Sequence, residues 1–438
     1  MKCYSHDMKI LAIETSCDET GISILEGVSG KPDSAEATPG KPLTLLGNAL
    51  ASQIALHAQY GGVFPAMAKR AHAEKIVPLT IAALEESGLL RLNDYSFVAD
   101  ATMADTIASI CNREDEMVSG FVELFNTYEK PDIDYIAVTV GPGLEPALWV
   151  GINAAKVLST IWNIPVIAVN HMEGHAVTAA VSETDVSDNK VYTFNTLAFP
   201  LLALLVSGGH TELVLTKSYG KYQKIGQTRD DAVGEAFDKV ARMIGLPYPG
   251  GPAVSRLAKE FRTSFAKATA AEAITIKTFE LPRPMIHSGD YDFSFSGLKT
   301  AVLYTIRDLV KERVNGGESS VAAAAALADE EKQALACAFE DAAIDVLVKK
   351  TIDAVEEFGI QTVIVGGGVS GNTYLKEQLV ARMAKKFPAV IVLFPEPWLA
   401  TDNAVMIGLA AFARVNEGNI ATQDAMTLKA NGNLSIEQ

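Results

Sequence analysis

Two widely separated stretches of this chain are written to one plan, and that repetition limits what the chain can fold into. Residues 9–25 read as an apolar strand, a turn rich in Glu, Thr, Ser and Asp, and a second strand over Gly21-Ile-Ser-Ile-Leu25. Residues 201–206 form a continuous apolar run that leads straight into Ser207-Gly-Gly-His-Thr211, with residues 211–216 alternating as a hairpin partner. Each half then supplies a strand, a glycine turn and a helix. In the first half these are residues 135–140, Gly141-Pro-Gly143 and residues 146–162; in the second they are residues 362–365, Gly366-Gly-Gly-Val-Ser-Gly-Asn372 and the helix beyond. Uninterrupted apolar strands suit a sheet covered on both faces. The chain therefore reads as a duplicated α/β protein with a cleft between its halves.

A length of 438 residues with 48% hydrophobic side chains is ample for two cores. The expected first lobe covers residues 8–170 plus about 404–438, with insertions near 27–41 and 92–130, and the second covers 171–403. Further helices are expected over residues 72–87, 230–244 and 329–358, the last with Asp329 as N-cap and Gly359 closing it. Residues 27–41 look like an exposed hairpin loop, and residues 92–130 like a partly helical insertion. The four cysteines, Cys3, Cys17, Cys111 and Cys337, are scattered without a Cys-x-x-Cys pair, which fits a reducing cytoplasm. No signal core or uninterrupted membrane-length apolar run is present, so a cytoplasmic protein is expected, with no membrane partner. A net charge of −16 repels nucleic acid in bulk, so any RNA contact needs a local basic patch or a basic partner.

The densest chemical signal is His171-Met-Glu-Gly-His175, whose imidazoles share one face of a helix and can bind one metal ion. A zinc peptidase needs Glu directly after the first His. Here Met172 stands there, and Glu173 lies roughly 200° round the helix from His171. A metal site is expected, a peptidase mechanism is not. Three glycine loops, Ser207-Gly-Gly-His-Thr211, Tyr248-Pro-Gly-Gly-Pro252 and Gly366-Gly-Gly-Val-Ser-Gly-Asn372, let a phosphate approach backbone N–H groups. None fits the P-loop pattern. The helix between the first two carries Asp231, Glu235, Asp238 and Lys239 beside small Ala232, Gly234 and Ala236, a composition suited to lining a cleft.

These motifs, together with Ile10-Leu-Ala-Ile-Glu-Thr-Ser-Cys-Asp-Glu-Thr20, Tyr60-Gly-Gly-Val-Phe-Pro65, Arg70-Ala-His72, Gly141-Pro-Gly-Leu144 and Thr401-Asp-Asn403, occur in one order. That order resembles the bacterial branch of the tRNA threonylcarbamoyladenosine transferases, formerly called O-sialoglycoprotein endopeptidases, from about residue 9 to 415. The resemblance implies a two-lobed actin/Hsp70/sugar-kinase-like fold. It also implies transfer of the threonylcarbamoyl group of threonylcarbamoyl-adenylate to the exocyclic amine of adenosine 37, next to the anticodon, in tRNAs reading codons that begin with A. Of the ligands for one divalent metal, iron first and zinc second, it assigns His171, His175 and Asp402. Contacts to the nucleotide-bearing substrate fall to Leu205, Val206, Ser207, Gly208, Gly209, Asp238, Gly251 and Asn372. A smaller paralogous subunit and a P-loop ATPase are the implied protein partners. The general base stays open among Glu14, Asp18 and Asp238. Lys69, Arg70 and His72 form a small basic patch that the resemblance turns toward tRNA or the active site. Two positions depart from the family pattern: Ala66 follows Pro65 where Glu is usual, and Ala400 precedes Thr401 where Cys is common. The rival readings are a metallopeptidase, an inactive scaffold like the shorter paralogue, and a small-molecule kinase of the same superfold. The paralogue lacks the His pair that this chain retains.

Overall fold

The structure is a computed structural model that describes residues 7–28, 42–93, 101–111, 114–186, 189–195, 197–218, 221–269, 277–311, 313, 320–416 and 422–437. Cys3 and residues 29–41 of the expected hairpin loop lie outside them.

The first sheet is built from β1 (Asp7–Glu14), β2 (Glu19–Val28) and β3 (Leu43–Ser52) as an antiparallel meander, with β4 (Tyr135–Gly141) and β5 (Val166–Asn170) added in parallel beside β1. The second repeats this plan: β8 (Leu201–Val206), β9 (Thr211–Ser218) and β10 (Lys221–Gln227) form the meander, and β11 (Thr362–Gly366) and β12 (Ile391–Leu393) run parallel to β8. The duplication legible in the sequence is thus a duplication of strand order, β5-β4-β1-β2-β3 against β12-β11-β8-β9-β10. This is the two-lobed actin/Hsp70/sugar-kinase-like arrangement.

Both central strands are buried on both faces, which explains why they read as unbroken apolar runs. In β8, Leu202, Leu204 and Val206 join one core with Phe237 and Phe339, while Leu201, Ala203 and Leu205 pack on the other face against Met172 and Ala176. In β1, Leu11 and Ile13 face one core, and Ile10 and Ala12 face another with Ile407 and Phe412.

Helices cover these sheets. α1 (Ile54–Ala58), α2 (Pro65–Glu86), α3 (Ala101–Cys111), α4 (Asp115–Thr127) and α5 (Glu145–Trp162) belong to the first lobe. α6 (His171–Thr178) leaves β5 directly. α7 (Val233–Met243), α8 (Gly250–Lys267), α9 (Ser296–Val310), α10 (Ser320–Ala325), α11 (Asp329–Phe358) and α12 (Thr373–Lys386) belong to the second. α13 (Ala404–Asn416) returns to the first sheet and packs against α6, where a Cβ on Gly174 would stand only 3.1 Å from Met406.

Three expectations shift. α2 starts at Pro65, seven residues before the expected 72, because Pro is favoured at the first helical position, where its missing N–H costs nothing. α11 takes Ala328 rather than Asp329 as its N-cap, with Glu331 accepting the Ala328 N–H at 3.1 Å. Finally, β6 (Val181–Val186) and β7 (Asn189–Phe194) pair back onto β3 through Leu43 and Tyr192, so the first sheet extends past residue 171 and the crossing to the second sheet falls between Phe194 and Leu201. The wholly buried Tyr192 ring holds this hairpin under Trp398, at 6.4 Å between ring centres.

Candidate metal centre and interlobe cleft

α6 begins where β5 ends because Asn170 caps it, its Oδ1 accepting the N–H groups of Met172 at 2.9 Å and Glu173 at 3.4 Å. His171 is therefore the first helical residue and His175 lies one turn further, with ring centres 4.6 Å apart and ring planes at 84°. Asp402 reaches them from the segment before α13, shaped by Asn403, whose Oδ1 accepts the Met406 N–H at 3.0 Å. Asp402 Oδ1 lies 3.1 Å from His175 Nε2 and 3.5 Å from His171 Nε2. One potential ligand atom from each of the three falls within 4.8 Å of the others. Two imidazoles and one carboxylate, brought together from positions 171–175 and 402, make a donor set that fits a divalent first-row metal.

The electrostatics are those of a buried charged cluster. Burial pushes the His171 pKa down, but Asp402 and then Glu14 carry it up to about 9. Burial opposes the charged form of Asp402 too, yet His171 and then His175 hold its carboxyl well below the usual range. Glu14 was a candidate general base; the structure gives it another place. Its wholly buried carboxylate accepts the Ser16 N–H at 2.5 Å and the Thr139 hydroxyl at 2.5 Å, and stands 3.3 Å from His171 Nδ1. Ser16 Oγ is 3.1 Å from the same nitrogen. Glu14 thus orients the His171 ring so that Nε2 faces Asp402. Burial raises its pKa, and the neighbouring His171 outweighs that to leave it lowered.

Asp18 lies in the cleft, 8% exposed, with its carbonyl accepting the Gln53 N–H at 2.8 Å. Its charge is felt across to the second lobe, where burial first, and Asp18 next, push the Tyr248 hydroxyl above its ordinary value. Asp238 is raised by burial and accepts the Gly250 N–H at 2.6 Å, which pins α7 to the start of α8. Glu19 and His210 escaped the sequence reading. Burial, Asp402 and Asp18 lift the Glu19 carboxyl to about 10. Burial and the repulsion of His171 and His175 lower His210 to about 4, so His210 is neutral. The only local signals were their positions inside motifs, since their proximity to Asp402 joins residues far apart in sequence.

The glycine loops meet in the second lobe. A Cβ on Gly234 would fall 2.5 Å from the Ser207 carbonyl, and one on Gly367, with φ +87°, would fall 2.4 Å from the Val206 carbonyl. Those glycines permit close backbone packing. Gly208, Gly209 and Gly251 differ, for a Cβ there meets nothing within 4 Å. Within the loop, Ser207 Oγ accepts the N–H groups of Gly209 at 3.3 Å and His210 at 3.1 Å. What the loop presents outward is bare glycine surface. Leu205 and Val206 are completely buried, so their side chains belong to the core. Asn372 is likewise engaged, capping α12 through the Leu375 N–H at 2.8 Å and donating to Glu340 at 2.8 Å and Ser255 at 3.0 Å. A polar cavity of about 260 Å³ opens beside the same loop, lined by Gly209, His210, Lys224, Gln227, Asn433 and Ser435 among others.

The basic patch does not form as expected. His72 is wholly buried, donating from Nε2 to the Cys17 carbonyl at 3.1 Å and accepting the Thr20 hydroxyl at Nδ1 at 2.7 Å. Arg70 pairs with Glu74 at 3.1 Å, and Lys69 pairs with Glu114. Ala66 is exposed in the first turn of α2, and Ala400 is buried. Glu173 points away from the His171–His175–Asp402 cluster, as its spacing required, and its carboxylate is bound by Arg414 and by the Tyr222 hydroxyl at 3.3 Å.

A chain whose two sheets repeat one strand order, with glycine loops and a His–His–Asp cluster between them, is an actin/Hsp70/sugar-kinase-like protein. The description of the tRNA N6-adenosine threonylcarbamoyltransferases matches residues 44–101 and 123–409. Proteins of that name from Acidovorax sp. (strain JS42) and Ralstonia pickettii (strain 12J) are 40% and 38% identical, over 93% and 95% of this chain and 92% and 94% of their own. The chain belongs to the tRNA N6-adenosine threonylcarbamoyltransferase family. Among solved structures, T. kodakarensis HypF aligns with a TM-score of 0.46 at 12% identity, covering 97% of this chain and 50% of its own, so the chain spans half that structure's length. YeaZ from Pseudomonas aeruginosa aligns with a TM-score of 0.22 at 15% identity, over 50% of this chain and 64% of its own. Among the described residues, no helix is long and apolar enough to cross a membrane.

Proposed function

We propose that this chain performs the transfer for which its family is named, with threonylcarbamoyl-adenylate as donor and adenosine 37 of tRNA as acceptor. The observation that carries this reading is the convergence of His171, His175 and Asp402 beside the open glycine surface of the Ser207–His210 loop. In the reaction the exocyclic amine forms a bond to the carbamoyl carbon, the bond from that carbon to the phosphate oxygen breaks, AMP leaves and the amine gives up a proton. The three ligands would hold one divalent metal, iron first and zinc second, which supplies Lewis-acid polarisation of the carbonyl. Glu14 and Ser16 keep His171 Nε2 turned inward. Gly208 and Gly209 leave room for the phosphate, and Asp238 holds the Tyr248–Gly251 turn against α7. Asp18, in the cleft and hydrogen-bonded to Glu19 where Glu14 is held against His171, is the better candidate for the departing proton. The polar cavity is lined by Gln227, Ser435 and a Lys224 paired with Glu212 at 3.3 Å, groups that would meet the hydroxyl and carboxylate of the threonyl end.

An acidic chain of net charge −16 binds tRNA poorly by itself, which supports dependence on partners, namely a smaller paralogous subunit and a P-loop ATPase. A tRNA substrate implies a cytoplasmic protein. The test is mass spectrometry of nucleosides from tRNA incubated with donor, partners and this chain, alongside elemental analysis of the protein. Wild type yields the modified adenosine and holds about one metal ion per chain. His171→Ala and Asp402→Ala lose the metal, and transfer falls by about 100-fold or more. Full metal occupancy in both variants would refute the ligand assignment; unmodified tRNA in the wild-type reaction would refute the activity.

A further inference from the structure

Tyr60 and Phe64 are large aromatic residues that the fold leaves in solvent, 56% and 54% exposed. Their rings sit 6.5 Å apart, centre to centre, and tilted by 37°. The segment that carries them is well braced. Gly62 N–H donates to the His57 carbonyl at 3.5 Å and Phe64 N–H donates to His57 Nδ1 at 3.4 Å. That leaves His57 Nε2 to donate to Gln53 Oε1 at 3.1 Å. Gln53 in turn donates its backbone N–H to the Asp18 carbonyl at 2.8 Å, and α2, which starts directly after Phe64, is tied to the Cys17 carbonyl through buried His72. The aromatic pair is therefore held by two hydrogen-bonded routes that end on the Cys17 and Asp18 carbonyls, three and four residues on from Glu14, which contacts His171. On the other side of the cleft stands Arg242, in the last turn of α7. A Cβ on Gly61 would lie 3.9 Å from its Cδ, and Arg242 is exposed with no ion pair among the described residues.

We propose that Tyr60 and Phe64 form a stacking platform for unpaired bases next to the adenosine being modified, with Arg242 facing the RNA backbone. Single-stranded loop bases are recognised by stacking on aromatic rings, which tolerates any base, while a cation faces the phosphates. Two half-exposed rings on a rigid turn supply such a surface without an ordering cost, and a single unpaired Arg supplies positive charge that the acidic chain otherwise withholds from RNA. A flexible protein-docking loop would not need to be tethered to the reactive turn. The inference rests on the transfer reading above for the identity of the RNA.

The experiment compares Tyr60→Ala/Phe64→Ala with wild type in equilibrium binding of a tRNA anticodon stem–loop and in the transfer assay with partners present. AMP calorimetry, metal content and thermal melting report whether the cleft is intact. The expected result is weaker stem–loop binding and a raised KM for tRNA, each by about tenfold or more, with kcat, AMP affinity and metal content unchanged. Tyr60→Phe/Phe64→Tyr, which keeps both ring faces, restores wild-type values. Arg242→Met lowers the dependence of log affinity on log salt by about one. Unchanged stem–loop affinity in the double alanine variant overturns the proposal. So does a variant that binds RNA normally but no longer co-purifies with a protein partner, which would make the pair a protein contact. Stem–loop binding is scored separately from transfer, so an inactive wild type would remove the transfer reading while leaving the platform to stand or fall on binding alone.

Discussion

At the scale of single residues, the cleft uses glycine for two separate reasons, and mutation separates them. Gly367 lies at φ +87° with its missing Cβ aimed at the Val206 carbonyl, 2.4 Å away, so any side chain there forces backbone apart. Gly209 faces open space, so the fold itself asks nothing of it. Gly209→Val should therefore melt within about 0.5 kcal/mol of wild type, yet lose AMP binding, because isopropyl bulk would fill the surface that the phosphate needs. Gly367→Ala should instead cost about 1–3 kcal/mol of stability. Calorimetric titration with AMP and melting curves on the same preparations check both. Normal AMP affinity in folded Gly209→Val would move the nucleotide away from this loop. Both residues sit in glycine runs that look alike in sequence. Only the neighbours brought in by β8, β11 and α7 tell them apart.

At the scale of elements, α11 shows how one long helix gathers distant segments. Glu331, in its first turn, accepts the Ala328 N–H and binds Arg313 with two hydrogen bonds, at 2.7 and 3.0 Å, and Lys277 at 3.2 Å. Further along, Glu340 and Asp341 bind Arg262, and Asp345 binds Arg283 and Arg382. Arg313, first among these influences, holds the Glu331 carboxyl at about 2. A carboxyl with a depressed pKa stabilises the fold fully above its ordinary 4.5 and loses that contribution as pH falls toward 2. Glu331→Gln should then be less stable than wild type by about 1 kcal/mol at pH 7, a modest figure because Arg313 is half-exposed and screened. The difference should shrink as pH is lowered through 4.5, followed by urea denaturation at several pH values. A gap that is independent of pH would mean that the carboxylate charge contributes nothing there.

At the scale of the whole molecule, two features join the lobes. The first is the buried Glu173 on α6, bound by Arg414 of α13 and by Tyr222 of β10, so that the helix after β5, a helix on the first sheet and a strand of the second share one charge. The second is the tail. Asn431 N–H donates to the Val140 carbonyl at 2.9 Å, the Ser435 carbonyl accepts from Asn170 at 3.0 Å, Ile436 is buried beside Leu205 and Met172, and Glu437 accepts the Lys224 N–H at 2.9 Å. Arg414→Met strands the Glu173 carboxylate in the interior and should cost about 3–5 kcal/mol, whereas adding Glu173→Gln should recover part of that loss, since an unpaired buried charge is the larger penalty. Thermal melts of the single and double variants test this. No recovery in the double variant would show that packing around Arg414, and not the charge, carries the effect.

Local pattern determined a good deal of this protein. Apolar runs located β1, β4, β5, β8 and β11, and the i,i+4 spacing of His171 and His175 put both imidazoles on one helix face. The same spacing turned Glu173 away from them, because helical geometry is set by the backbone and needs no partner. What the tertiary structure alone decided is where sequence distance is crossed. Asp402 meets the His pair because α13 folds back onto the first sheet. Glu14 is spent on His171 and the Ser16 turn, leaving Asp18 in the cleft, a distinction between two nearby acids that no composition reveals. β6 and β7 join the first sheet through a pairing with β3 that has no local signal. Strand pairing, burial and the pKa of a buried acid depend on which surfaces meet, and the chain decides that only when it packs.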